Sequence, residues 1–202
     1  MPHDQIEAIQ LEGIKKTVVA CYENVPFYKK SFDDAGFDPY SVTSLDDLSR
    51  APFVTKQDLR DNYPYGMFAV PMEDVVRVHA SSGTTGKQTV VGYTAGDLER
   101  WKEIVARTLT AAGATKKDVV HISYGYGLFT GGLGLHYGGE GLGCAVLPAS
   151  GGNTERQVML MRDLGVTAIA CTPSYFLRIM EEAKRQGVDF RRDTRLRCGF
   201  FG

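Results

Sequence analysis

Seven consecutive residues, Ser81, Ser82, Gly83, Thr84, Thr85, Gly86 and Lys87, set four hydroxyls, two glycines and an ammonium side by side. Backbone N–H groups, hydroxyls and one cation suit the oxygens of a polyphosphate, and glycine lets the backbone approach them closely. The spacing is not that of the Walker A loop, which puts four residues between its glycines before Gly-Lys-Ser/Thr. Here only Thr84 and Thr85 separate Gly83 from Gly86. Composition alone leaves a polar hairpin turn equally open. A second stretch, Tyr124, Gly125, Tyr126, Gly127, Leu128, Phe129, Thr130, Gly131 and Gly132, mixes aromatic rings with glycines. The rings offer flat apolar walls with optional hydroxyl partners, and the glycines allow close approach, as a pocket for an aromatic small molecule requires. A core-packing loop with turn glycines has the same composition. Ser150, Gly151 and Gly152 form a compact third loop ahead of a helix start, suited to a nucleotide's base or ribose, or to a helix cap alone.

The histidines are His3, His79, His121 and His136, and no Ser/His/Asp arrangement or metal-ligating cluster is readable around them. His121 lies in an apolar run and reads as a core histidine; His79, just before residues 81–87, reads as a supporting residue for that loop. Lys56 follows a helix cap and reads as a solvated first-turn lysine.

The elements that must position these residues follow from periodicity. Ile6, Ile9, Ile14, Val18, Cys21 and Tyr22 recur at helical spacing, predicting a helix over 5–24, and a second runs from Phe27 to Gly36 after Pro26. Ser44 with Asp47, and Thr55 with Asp58, have capping-box form and predict short helices near 45–49 and 56–62. Strands are expected at 75–79 and 89–93, on either side of the hydroxyl-rich loop. A helix then follows, with Leu98, Trp101, Val105, Leu109 and Ala112 along one stripe, read as core. Beyond it, strands at 119–123, 144–148, 166–171 and 196–201 alternate with helices at 131–142, 154–164 and 174–186. That alternation predicts βαβ units and a parallel sheet, whose ligands bind at loops beyond the carboxyl ends of strands. Three loops qualify: the aromatic one, the one at Ser150, and Thr172-Pro173-Ser174. The expected fold class is α/β: a helical N-terminal region over 1–70, then a mainly parallel sheet with flanking helices over 71–202.

Hydrophobic residues make up 43% of the 202-residue chain and charged residues 23%, with a formal net charge of −1. These values are ordinary for a soluble protein and give no electrostatic argument for nucleic acid or an anionic membrane. No apolar run nears the ~20 residues that cross a bilayer, and the N-terminus lacks a secretory pattern, so a cytoplasmic location is expected. Cys21, Cys144, Cys171 and Cys198 form no Cys-x-x-Cys pair. The last three recur at an even interval beside apolar runs and read as reduced thiols in neighbouring buried strands. The sequence stops at Gly202, directly after an apolar strand, which predicts a longer native protein of which these residues are the N-terminal part.

With those residues in view, 81–87 resembles the phosphate-binding motif of the adenylate-forming superfamily, which includes acyl-CoA synthetases, luciferases and peptide-synthetase adenylation domains. The wider match is to the phenylacetate–CoA ligase family. It rests on Tyr22-Glu23-Asn24-Val25-Pro26-Phe27-Tyr28, Asp58-Leu59-Arg60-Asp61-Asn62-Tyr63-Pro64, residues 79–93 and 124–134, and Thr172-Pro173-Ser174-Tyr175, and runs from about residue 10 to the end. Gln88 departs from the proline usual there; proline would stiffen the loop's exit. The resemblance implies an incomplete N-terminal domain of an enzyme that joins phenylacetate to CoA with ATP, through an acyl-adenylate. It implies that Ser81, Ser82, Gly83, Thr84, Thr85, Gly86 and Lys87 bind the ATP phosphates, that Tyr124, Phe129 and Gly131 line an aryl-acid pocket, and that Gly202 begins a loop at the nucleotide and acyl site. ATP, CoA and an aryl carboxylic acid are the implied small-molecule partners, with Mg²⁺ on the phosphates; a homodimer is implied, with no nucleic acid and no membrane. The family's catalytic lysine belongs to a C-terminal domain outside these residues, so the resemblance implies no complete catalytic set here and an inactive fragment.

Three other readings remain. One is a sibling ligase for another aryl acid, such as a hydroxylated or indolic arylacetate. Another is a non-catalytic ATP-binding module, should the native chain be this short. A P-loop phosphotransferase is disfavoured by the glycine spacing.

Overall fold

Proline and glycine punctuate the helical start of the chain. Helix α1 (His3–Asn24) gives way to α2 (Pro26–Ala35) at Val25, whose backbone is extended. A residue before proline disfavours the helical region, and Pro26 sits in the first turn of α2, where its missing N–H leaves no bond unmade. Gly36, left-handed at φ 63°, ends α2 as helix-terminal glycines do. Val18, Phe32, Phe37 and Val42 form the core beneath these helices, with Leu11, Ile14, Tyr22 and Tyr28 packed on it.

The computed structural model describes residues 1–81 and 87–202; Ser82, Gly83, Thr84, Thr85 and Gly86 lie outside the described residues. The chain divides into two compact units, Met1–Thr94 and Ala95–Gly202. In the first, both capping boxes form. Thr55 and Asp58 open α3 (Lys56–Asp61), whereas Ser44 and Asp47 open a 3-10 helix (Leu45–Arg50). Pro52 follows so closely that no longer helix can develop there. Strands β1 (Arg77–Ala80) and β2 (Val90–Tyr93) pair antiparallel, with Arg77 opposite Tyr93 and Ala80 opposite Val90. The change from helix to strand near residue 71 thus falls within the first unit, and the units part later, after Thr94.

The second unit holds the parallel sheet. Strands β3 (Val119–Ile122), β4 (Ala145–Leu147), β5 (Ala168–Cys171) and β6 (Cys198–Phe201) lie in the order β4-β3-β5-β6, every pair parallel. Its helices are α4 (Ala95–Ala111), α5 (Gly131–Leu142), α6 (Thr154–Asp163), α7 (Pro173–Arg185) and the short α8 (Phe190–Asp193). Side chains of β5 alternate between two cores. Ile169 and Cys171 join Val158 and Met161 of α6 and Ile179 and Ala183 of α7; Ala168 and Ala170 join Val120, Ile122 and Cys144, against Leu135 and Leu142 of α5. Both faces of the sheet are therefore covered, as an all-parallel sheet requires.

Helix α5 is glycine-rich because α4 lies against it. A Cβ on Gly134 would fall 2.4 Å from Trp101, and one on Gly138 would fall 2.2 Å from Val105. The sheet's other edge, at the amino ends of the strands, is locked by Asp118, which is 3% exposed. Its Oδ2 accepts from the Thr115 N–H at 2.8 Å and from Arg197 Nη2 at 2.6 Å, and its Oδ1 from Thr167 Oγ1 at 2.7 Å. Burial alone would raise this carboxyl's pKa; the hydrogen bonds from Thr167, Thr115 and Arg197 outweigh it and hold the pKa at about 2.

The cysteines are free. Cys171 and Cys198 lie on adjacent strands, but β3 stands between them and the strand that follows Cys144. The even interval reflects three successive β-α repeats rather than three neighbouring strands.

Candidate functional site

Because β3 to β6 are parallel, their four carboxyl ends share one edge of the sheet. From β3 the chain moves outward to β4, then crosses back to β5 on the other side and on to β6. The direction of winding therefore reverses between β3 and β5, and such a reversal opens a crevice at the carboxyl edge. Tyr124 leaves β3 at this point and Thr172 leaves β5.

The aromatic loop is fixed at three places. The Tyr124 hydroxyl donates to the Gly202 carbonyl at 2.9 Å and accepts from the Gly202 N–H at 3.0 Å, reaching over the end of β5 to the end of β6. Gly132 lies beneath Gly125, where a Cβ would fall 2.5 Å from the Gly125 carbonyl oxygen. Tyr126 turns back onto α5, its hydroxyl 3.3 Å from His136 Nδ1, while His136 Nε2 meets Glu140 at 3.2 Å. Burial, with a smaller contribution from Glu140, pushes the Tyr126 phenol up to about 12, so its hydroxyl stays protonated. Burial also raises the pKa of Tyr124. Between these anchors Phe129 stands 65% exposed. A Cβ on Gly131 would lie 3.7 Å from the Tyr124 ring and 4.0 Å from the Phe129 ring. Tyr124, Phe129, Gly131 and Gly202, singled out in sequence, thus meet at one place, two aromatic faces beside a bare stretch of backbone.

Next to them, the loop after β4 is held in a strained shape. Ser150 and Asn153 adopt positive φ of 63° and 44°, and Gly152 one of 85°. The clamp is Gln157 on α6, whose Nε2 donates to the Ser150 carbonyl at 2.7 Å and to the Gly152 carbonyl at 3.0 Å. Its Oε1 accepts from Ser123 Oγ at 2.7 Å and meets His121 Nε2 at 2.5 Å. With both amide protons given to carbonyls, Oε1 must accept, so His121 carries its proton on Nε2. Burial lowers the His121 pKa, with the Gln157 bond working the other way. The imidazole is a neutral core group, as its place in an apolar run implied. Gly152 is gripped a second time by the Tyr175 hydroxyl at 3.0 Å, and Thr172 caps α7 through the Tyr175 N–H at 3.3 Å.

Gln157 was not singled out in sequence, and Tyr175 was named only within the matching segment Thr172-Pro173-Ser174-Tyr175, with no role of its own. The available signal was a polar Gln157 directly before Val158 on the buried side of α6, where all three of Gln157, Val158 and Met161 are buried.

The hydroxyl-rich stretch belongs to the first unit, where it joins β1 to β2. Its ends are described: the Ser81 N–H donates to the Thr89 carbonyl at 3.0 Å, and the Thr89 N–H to Ser81 Oγ at 3.1 Å. Lys87 is exposed, its ammonium 5.7 Å from the centre of the Tyr63 ring. His79 is buried in β1, its ring edge-on to Tyr93 at 5.6 Å. Ser82, Gly83, Thr84, Thr85 and Gly86 lie outside the described residues. The next described element is a strand antiparallel to the first, whereas a Walker A loop leads into a helix.

No family model matches the chain. Over 199 residues, 98% of its length, it is 56% identical to the phenylacetate-coenzyme A ligase of Pseudomonas putida. It is 55% identical to the corresponding ligase of Escherichia coli (strain K12) over the same 98%. Its homologues are phenylacetate–coenzyme A ligases, matched over their N-terminal part. The chain spans 45% of the Pseudomonas putida ligase and 46% of the Escherichia coli one. Among solved structures, 2-hydroxyisobutyryl-CoA ligase in complex with 2-HIB-AMP and CoA is similar over the whole chain. The TM-score is 0.93 at 29% identity, with 44% of that ligase covered. An open conformation of the same ligase gives 0.92 at 28% identity, with 48% covered. The fold, a helical N-terminal region followed by a parallel sheet with flanking helices, is that of the N-terminal part of adenylate-forming ligases. No helix among the described residues is long and apolar enough to cross a membrane.

Proposed function

We propose that these residues are the N-terminal part of an ATP-dependent aryl-acid–CoA ligase acting on phenylacetate. A carboxylate oxygen of the acid attacks the α-phosphorus of ATP, diphosphate leaves, and an acyl-adenylate forms. The CoA thiol, losing its proton, then attacks the acyl carbonyl, and AMP leaves. The observation that carries this reading is the meeting of Tyr124, Phe129, Gly131 and Gly202 at the carboxyl edge, in a chain 56% identical to ligases of that name.

In the proposal, Tyr124 and Phe129 flank the aryl ring, Gly131 leaves room for its carboxylate arm, and Gly202 opens the segment that meets the nucleotide and acyl group. Ser81, Ser82, Gly83, Thr84, Thr85, Gly86 and Lys87 hold the β- and γ-phosphates. In-line attack on phosphorus depends on positioning and charge neutralisation more than on a protein nucleophile, so hydroxyls, backbone N–H groups and one ammonium suffice for this half of the site. Mg²⁺ would neutralise charge on the ATP phosphates; no residue of this chain is assigned to it. In the proposal the protein works in the cytoplasm, where ATP and CoA are supplied.

The test is an ATP- and CoA-dependent thioester assay of the full-length protein across phenylacetate, hydroxylated and indolic arylacetates, and short aliphatic acids. Phenylacetate is expected to give the highest kcat/KM. A hydroxylated analogue is expected within about 100-fold, since an apolar pocket discriminates weakly against one added hydroxyl. Thioester formation from aliphatic acids alone would overturn the aryl assignment. The isolated 202-residue chain, under half the length of these relatives, is expected to release no diphosphate with any acid.

A further inference from the structure

We infer that Gln157 is a positioning residue of the acid-binding site, setting the distance between the end of β3 and the loop after β4; this rests on the ligase reading above. The Gln157 side chain is 2% exposed and all its hydrogen-bonding capacity is directed across that gap. On one side it holds Ser123 and His121 of the β3 segment, and on the other the Ser150 and Gly152 carbonyls. Ser123 is the residue before Tyr124, so the bond to Ser123 Oγ fixes the point from which the aromatic loop departs. The two segments also meet directly: the Ser150 N–H donates to the Ile122 carbonyl at 3.0 Å.

Three residues held at positive φ in four positions, two of them not glycine, persist only where the surroundings over-determine them. Two amide hydrogen bonds from Gln157 and one from the Tyr175 hydroxyl supply that constraint. In a trans peptide the carbonyl and the next N–H point in opposite directions. Turning the Ser150 and Gly152 carbonyls toward Gln157 therefore turns the N–H groups of Gly151 and Asn153 away from it. Without Gln157, the Ser150 N–H still donates to the Ile122 carbonyl, but the Ser150 carbonyl loses its partner and the loop loses its tie to Ser123, the residue before Tyr124.

The test uses the full-length ligase with Gln157→Leu, Gln157→Glu, Ser123→Ala and Tyr175→Phe. Glutamate keeps the acceptor toward Ser123 and His121 and removes both donors to the loop; leucine removes both sides. Each Gln157 variant is expected to raise the KM for phenylacetate about tenfold or more, with the KM for CoA unchanged within twofold. Ser123→Ala, which removes the bond to Gln157, and Tyr175→Phe, which removes the bond to Gly152 and the longer one to Thr154 Oγ1 at 3.5 Å, are expected to raise the phenylacetate KM about two- to tenfold at a thermal midpoint close to that of the parent. An unchanged phenylacetate KM in both Ser123→Ala and Tyr175→Phe overturns the inference, whether or not the Gln157 variants fold. A parent enzyme that makes no aryl thioester would instead reject the ligase reading, so the two failures are distinct.

Discussion

Asp118 accepts from five donor groups on Thr115, Thr167 and Arg197. Only a carboxylate answers all of them, since an asparagine amide would turn its own N–H groups toward other donors. Asp118→Asn is therefore expected to cost about 2 kcal/mol at neutral pH. The folded pKa lies below the unfolded value of about 3.9, so this stabilisation is fully present above that value and is lost as pH falls toward about 2. His121 acts in a higher window. Its folded pKa is lowered by burial, so the unfolded chain takes up a proton below about pH 6.5 that the folded one refuses. Stability is expected to fall in two stages on acidification, first below about pH 6.5 and again between about 4 and 2. Denaturant melts across that range check it: Asp118→Asn should shrink the second stage, to which the hydrogen-bonded carboxylates Asp47, Asp58 and Asp193 also contribute, and keep the first.

Helix α5 trades helix propensity for close approach. Glycine in a helix interior costs up to about 1 kcal/mol relative to alanine, yet Gly134 and Gly138 are occupied because Trp101 and Val105 of α4 fill the space a Cβ would take. Gly138→Ala, with its Cβ 2.2 Å from Val105 Cγ1, is expected to destabilise by about 1–3 kcal/mol, since overpacking outweighs the propensity gained. Gly125→Ala meets nothing within 4 Å and is expected to change the thermal midpoint by about a degree or less. A comparison of the two midpoints separates a packing requirement from a loss of chain flexibility, which both substitutions share. A similar midpoint for the two variants would count against the packing account. The same spacing explains why residues 131–142 read as helical in sequence although glycine disfavours helices: the small residues repeat at the interval that faces a neighbouring helix.

Across the whole molecule, the two sets of proposed ligand residues belong to different compact units. Lys87 lies in Met1–Thr94, and Tyr124 in Ala95–Gly202. If each unit serves its own substrate, single substitutions should separate kinetically. In the full-length ligase, Lys87→Ala is expected to raise the KM for ATP about tenfold or more and leave that for phenylacetate within about threefold. Tyr124→Phe, which loses both bonds to Gly202, should do the reverse. Steady-state kinetics with each substrate varied in turn would show it, and a matching rise in both constants for either variant would remove the division of labour.

Much of this was legible without coordinates. Apolar periodicity marked the helices and strands, the βαβ alternation implied a parallel sheet, and that sheet implied ligand loops at its carboxyl edge, because these signals are local or follow from chain connectivity. The aromatic loop and its glycines were legible for the same reason: their residue types are adjacent in the chain. Other features depended on residues far apart in sequence. The order β4-β3-β5-β6, which puts the crevice between β3 and β5, is a choice among topologies with the same local pattern. The Gln157 clamp joins positions 34 and 36 residues apart, and the Tyr124 hydroxyl meets Gly202 across 78. Sequence determined which residues had the chemistry to bind a polyphosphate and an aromatic acid. Tertiary structure decided which of them share one edge and what holds them there, because those contacts depend on side chains and backbone groups that meet only after the sheet has formed.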